Sequence, residues 1–124
     1  MTLRYTRDHQ WVRQDGQDLA TVGITEHAQD VLGEVVSVEL PPVGKHLDQG
    51  EIAGSVESIK AAVDVSMPIA GEIVEVNEAL LAKSELANRS PMEAGWFFKL
   101  RIANPGQLAA LLDEPAYRQF SAEN

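Results

Sequence analysis

Lys60 lies in "ESIKAAVD", between small and apolar residues, with Glu57 on one side and Asp64 on the other. The other three lysines of the chain, Lys45, Lys83 and Lys99, have no comparable setting. An amine in this position has three open readings. A plain surface charge is the commonest fate of a lysine. A catalytic amine needs a lowered pKa, through burial or a neighbouring cation. Glu57 and Asp64 favour the protonated form instead, and no acid, base or substrate pocket is evident beside them. An amine that another enzyme modifies needs an exposed tip, stiff support and unobstructive neighbours such as Ala61 and Ala62. The local sequence suits modification best, although periodicity alone does not establish it.

Other chemistries are quickly bounded. The 124 residues include no cysteine, which removes disulfides, thiolate metal sites and thiol nucleophiles. His9, His27 and His46 are too far apart for a zinc spacing, so no metal is expected. No nucleophile elbow, P-loop or dinucleotide fingerprint occurs. Any redox chemistry must come from an attached group. The net charge is −9, with 19 acidic residues against 10 basic. Such a field repels nucleic acid backbones, and it suits either solubility or partners with basic docking surfaces. No apolar run is long enough to cross a bilayer, and "MTLRYTRDHQWV" carries no signal-peptide stretch. A bacterial cytoplasmic protein is the expectation, or the mature form of an organelle protein.

The elements that must hold Lys60 read mainly as strands. "LRYTRDHQWVRQ" and "DLATVGI" flank Asp15-Gly16, a hairpin signal, with Trp11 and Val12 packed and Arg13 and Gln14 facing water. "TEHAQDVLG" reads as a brief helix, capped by Thr25 and ended by Gly33, with Ala28, Val31 and Leu32 on one face. "GEVVSVE" from Gly33 is repeated as "GEIVEVN" from Gly71. "GEIAGSVE" from Gly50 similarly matches "GWFFKLRI" from Gly95, after an insertion around "LLAKSELANRSP". Each half reads glycine, strand, loop, glycine, strand, and two halves can share one core about a pseudo-twofold axis. Lys60 falls between them, where a tight turn would lift it to an exposed tip. Pro68 and Gly71 in "MPIAGE" start the second half. In "NPGQLAALLDEPAYRQF", Leu108, Leu111 and Leu112 have helical spacing and Pro115 suits the first turn of a second helix. Tyr117 and Phe120 can dock that tail on a sheet.

The chain closely resembles the H-protein family of the glycine cleavage system. The resemblance rests on "YTRDHQWV", "VGITEHAQDVLGEVVSVELPPVG", "VESIKAAVDVSMPIAGEIVEVNEAL", "GWFFKLRI" and "PAYRQF", almost end to end. A biotin carrier would show Met-Lys-Met where this chain has Ile59 and Ala61 around Lys60. Lipoyl domains of 2-oxoacid dehydrogenases typically have Asp-Lys-Ala and lack the "DHQWV" and "GITEHAQ" segments.

The resemblance implies a mainly β barrel-sandwich hybrid of two small antiparallel sheets with short helices, including a C-terminal helical tail. One domain, 1–124, is expected, with a lipoyl core at 33–103, N-terminal strands and a short helix at 1–32, and helices at 104–124. The implied function is a carrier without catalysis of its own. Lys60 would bear lipoate in amide linkage, added by a lipoate ligase or lipoyl transferase, and recognised through Glu57, Ser58, Ile59, Ala61 and Ala62. The implied partners are a pyridoxal-phosphate glycine decarboxylase, which loads an aminomethyl group, an aminomethyltransferase, which removes it, and dihydrolipoyl dehydrogenase, which reoxidises the dithiol. In the family the loaded arm folds into a cleft, whose counterparts here are Asp8, His9, Gln10 and Asp64. Many members have glutamate where this chain has Gln10, and a serine where it has Val63. A lipoate-relay protein serving other enzymes is the alternative reading, and "YTRDHQWV" favours the glycine-cleavage role.

Overall fold

The structure, a computed structural model, describes residues 3–26, 28 and 33–122. Nine strands and four short helices are defined among them. The strands are β1 (Leu3–Tyr5), β2 (Gln10–Gln14), β3 (Leu19–Ile24), β4 (Val35–Glu39), β5 (His46–Leu47), β6 (Ile52–Ser58), β7 (Ala62–Ser66), β8 (Gly71–Val76) and β9 (Phe98–Ile102). The helices are α1 (Glu78–Ala82), α2 (Leu86–Arg89), α3 (Pro105–Ala109) and α4 (Glu114–Ala122). The strands form a six-stranded sheet, β1-β2-β3-β9-β8-β5, and a three-stranded sheet, β4-β6-β7. Every strand pairing is antiparallel.

The similar segments occupy matching places. The first copy supplies β4 and β6, which pair with each other, and the second supplies β8 and β9, which also pair. Their inward residues meet in one core. Val38 and Val56 come from the small sheet, and Ile73, Phe98 and Leu100 from the large one. Burying a side chain of this size contributes about 1.5–3 kcal/mol.

Trp11 and Val12 are adjacent on β2, so they point to opposite faces of the sheet, yet both are buried. Val12 enters the shared core. Trp11 joins a second cluster with Tyr5 and Tyr117 on the other face, closed by α4. Its indole lies across Gly23, its cross-strand partner, where an added Cβ would stand 2.7 Å from the ring. Any side chain at Gly23 would displace the indole. The indole N–H donates to the Pro91 carbonyl at 2.9 Å, so this buried polar group is satisfied.

The β2–β3 connection is a four-residue loop, 15–18, rather than a two-residue turn, and Gly16 does not take a positive φ. Asp15 organises it by accepting from the Arg13 Nε at 2.8 Å and from the Thr21 hydroxyl. Burial pushes the Asp15 carboxyl up, but those two hydrogen bonds and the charges of Arg13 and Lys99 outweigh it, leaving it below its ordinary value.

Local capping fixes the helices. Asn77 accepts from the Ala79 N–H at the start of α1 and donates to Ala94 and Trp96, both at 2.8 Å. Asn104 caps α3, where Pro105 takes the first turn. Asp113 accepts from the Ala116 N–H before α4. Thr25 accepts from the Ala28 N–H, as an N-cap does. Glu26 and Ala28 are helical, and Gly33 takes a positive φ; His27, Gln29, Asp30, Val31 and Leu32 of the helix expected over "TEHAQDVLG" lie outside the described residues.

Candidate functional site

The β6–β7 hairpin ends on a three-residue turn, Ile59-Lys60-Ala61, with Glu57 opposite Ala62 as the last strand pair. All three turn residues are exposed. The Ser58 N–H donates to the Ala61 carbonyl at 2.8 Å. The Ser58 hydroxyl donates to the same carbonyl at 3.0 Å and accepts from the N–H groups of Lys60 (3.2 Å) and Ala61 (3.1 Å). One hydroxyl therefore satisfies two turn amides that no strand could reach. Ser58 is only 8% exposed, so it lies beneath the turn while Glu57, Ile59, Ala61 and Ala62 face solvent.

A second segment braces the turn from the side. The Ile59 N–H donates to the Glu34 carbonyl at 3.0 Å. Asn88, on α2, holds the flanks of Glu34: its Nδ2 donates to the Gly33 carbonyl at 2.7 Å and its Oδ1 accepts from the Val35 N–H at 2.8 Å. Gly33 has φ 76°, the left-handed region that favours glycine. The Lys60 stem passes beside it, and a Cβ added there would stand 3.4 Å from Lys60 Cε and 3.7 Å from Cδ.

Cross-strand neighbours share a face, so Ser37, Glu57 and Ala62 form one row of the small sheet and Glu39, Ser55 and Asp64 the next. This face is mostly exposed. The Ser37 and Ser55 hydroxyls approach the carboxylates of Glu57 and Glu39 at 3.3 and 3.4 Å. Lys60 therefore stands at the end of an acidic surface.

Asp8 and His9 lie in the turn between β1 and β2, and Gln10 opens β2. Thr6 organises the turn, accepting from the N–H groups of Asp8 and Gln10, each at 3.2 Å. Gln10 is buried, and its Nε2 donates to the Ser66 carbonyl at 2.8 Å. Ser66 lies two residues beyond Asp64 on β7, so this bond sets the turn beside the strand that carries Asp64. His9 adopts φ 62°, unusual without glycine. Its Nδ1 meets the Tyr117 hydroxyl at 2.8 Å and its ring packs on Phe120, so it is tied to α4. Asp8 is exposed. The turn thus brings Gln10 to β7 and holds His9 on the helical tail.

Sequence reasoning missed Asn88, Ser66 and the partnership of Tyr117 with His9 and Thr25. No spacing signal marks them, because each acts through a residue far along the chain. Among the described residues, no group of three or more His, Cys, Asp or Glu is disposed to hold a metal ion. No described helix is long and apolar enough to cross a membrane. An apolar groove between Leu40, Pro42, Val43, Val76 and Leu81 lies past the far end of β4 from the hairpin.

Lys60 fits an amide-linked prosthetic group. Its side chain is exposed at a tip, Gly33 lies beside its stem, and two alanines, Ala61 and Ala62, follow it.

The sequence pattern of the family described as "Glycine cleavage H-protein" matches residues 3–124. The glycine cleavage system H protein of Laribacter hongkongensis is 52% identical over 117 residues, covering 94% of this chain and 92% of the relative. That of Thermotoga maritima is 51% identical over 120 residues, covering 97% and 96%. The crystal structure of a glycine cleavage system H protein from Mycobacterium marinum superposes with a TM-score of 0.85 at 32% identity, covering 98% of this chain and 95% of that one.

Proposed function

The chain belongs to the glycine cleavage H-protein family, and from that premise we propose that Lys60 is its lipoyl attachment residue. Membership makes the protein a lipoyl carrier of the glycine cleavage system, not itself catalytic, with the barrel-sandwich fold of its structural relative. The observation that carries the Lys60 assignment is its exposed place on a braced three-residue turn.

When attached, lipoate supplies a disulfide that accepts the aminomethyl group of glycine and later gives it up; the protein supplies no sulfur of its own. The chain's residues do the holding. The stiff hairpin sets the root of an arm that reaches on the order of 10–15 Å from summed bond lengths. Tethering at a docked enzyme raises the effective concentration of the reacting end. Exposed Glu57, Ile59, Ala61 and Ala62 are the surface a lipoate ligase or lipoyl transferase would meet. For the loaded arm we propose a resting place between the Asp8-His9-Gln10 segment and β7. The Gln10–Ser66 bond supports this by holding the two together. Asp8 and Asp64 are the carboxylates that would attract an ammonium there. Gln10 contributes shape and a hydrogen bond rather than charge.

The proposed partners are a pyridoxal-phosphate glycine decarboxylase, an aminomethyltransferase and dihydrolipoyl dehydrogenase, in a bacterial cytoplasm like that of the relatives' organisms. We also take residues 1–124 as one carrier domain with its lipoyl core at 33–103. Support comes from β9, which pairs with β3 of the N-terminal segment and with β8 of the core.

Intact-mass measurement tests the assignment. Incubation with lipoate, ATP and a lipoate ligase adds one lipoyl group to the wild type and none to Lys60→Ala. Glycine and glycine decarboxylase then load the lipoylated protein. Lipoylation of Lys60→Ala would overturn the assignment. Lipoylation without loading would favour the relay role.

A further inference from the structure

We propose that Ser58 and Asn88 are positioning residues for the acylation of Lys60, which they govern through the backbone of the turn and of the segment that braces it. The inference rests on Lys60 being the attachment residue.

Ser58 acts from inside. The Lys60 and Ala61 amides lie past the last strand pair and would otherwise point without partners in a short turn. Both donate to the Ser58 hydroxyl, which itself donates to the Ala61 carbonyl. This network sets the peptide planes on both sides of Lys60. Ser58 is buried, so its effect on a visiting enzyme passes through the backbone it holds.

Asn88 acts through the adjoining segment. The turn leans on Glu34 through the Ile59 N–H, and Glu34 is held because Asn88 grips the residues on both sides of it. The same grip fixes Gly33, beside which the lysine stem runs. With both anchors in place, the backbone of the turn is held and the direction in which the Lys60 stem leaves it, along Cα–Cβ, is set before any enzyme docks.

That direction matters for the chemistry. The deprotonated amine, its proton released to solvent, attacks the carbonyl of an activated lipoyl adenylate. A C–N bond forms, the nitrogen gives up a second proton to solvent, the acyl–oxygen bond to phosphate breaks, and AMP leaves. Preorganised approach carries a large part of the rate in such a reaction, and small misplacements are costly.

The experiment measures kcat/KM for ligase-catalysed lipoylation of the full chain, below the melting temperature of each variant. Ser58→Ala is expected to lose about tenfold, with faster amide hydrogen exchange at Lys60 and Ala61. Ser58→Thr keeps the hydroxyl and is expected to restore most of the rate. Asn88→Asp keeps the acceptor for Val35, loses the donor to Gly33 and is expected to slow the reaction independently. Equal rates for wild type, Ser58→Ala and Asn88→Asp, all folded, would overturn the positioning role, as would a Ser58→Thr variant as slow as Ser58→Ala. A merely stabilising contact would lower the melting temperature and leave kcat/KM of the folded protein unchanged. A wild type that gains no lipoyl group would instead overturn the assignment of Lys60 itself.

Discussion

Gln10 illustrates how much one side-chain atom decides. Its amide nitrogen donates to the Ser66 carbonyl from a buried position. A glutamate carboxylate at this place could not donate, and it would set negative charge against a carbonyl oxygen. Gln10→Glu is therefore expected to destabilise the protein by about 1–3 kcal/mol at pH 7, the usual cost of leaving a buried polar group unmatched. Protonation restores a donor, so the folded state raises the pKa of the new carboxyl. The penalty is then smallest below the ordinary glutamate pKa, about 4.3, and grows as pH rises from there through the folded value. Urea unfolding at pH 4 and pH 7 checks both size and sign; equal stability of the two proteins at pH 7 would show that the bond contributes nothing. The sequence displayed Gln10 as a departure from its relatives. The reason an amide suits the site became visible only with Ser66 in place.

At the scale of elements, α4 fastens the N-terminal strands. The Tyr117 ring stacks on Tyr5 at 4.5 Å with planes 11° apart. Its hydroxyl reaches His9 Nδ1 at 2.8 Å and Thr25 Oγ1 at 2.7 Å. Burial pushes the Tyr117 hydroxyl above its ordinary pKa, and the Thr25 hydrogen bond only partly offsets this. Tyr117→Phe keeps the stack and removes both polar contacts, so a loss of about 1–3 kcal/mol is expected in denaturant unfolding. An unchanged midpoint would mean the hydroxyl does nothing that water could not do. Leucine spacing and Pro115 announced a helical tail, and Tyr117 and Phe120 were legible as its docking residues. Their targets were not, because helical periodicity tells which face is apolar and says nothing of what covers it.

For the whole molecule, two sheets of unequal size share one interior. Leu100 sits fully buried on β9, the strand that joins the N-terminal strands to the rest of the large sheet. Leu100→Ala is expected to cost about 2–5 kcal/mol, since the cavity lies where many elements meet and cannot collapse easily. Circular dichroism and tryptophan fluorescence should report one common transition, Trp11 being in the cluster on the opposite face. Separate transitions would show that the two faces unfold independently.

The sequence alone determined the strand-rich character, the similar halves, the helical tail and the lysine worth attention. Each follows from local composition, period or turn chemistry, which a linear chain carries explicitly. Tertiary structure alone decided that Ser58 lies under the turn, that Asn88 braces Glu34 from α2, that Gln10 meets Ser66 and that His9 turns to Tyr117. Those four contacts depend on directional hydrogen bonds, which form only after folding has brought each donor within about 3 Å of its acceptor. For Asn88, Gln10 and His9, the partner lies many residues away along the chain.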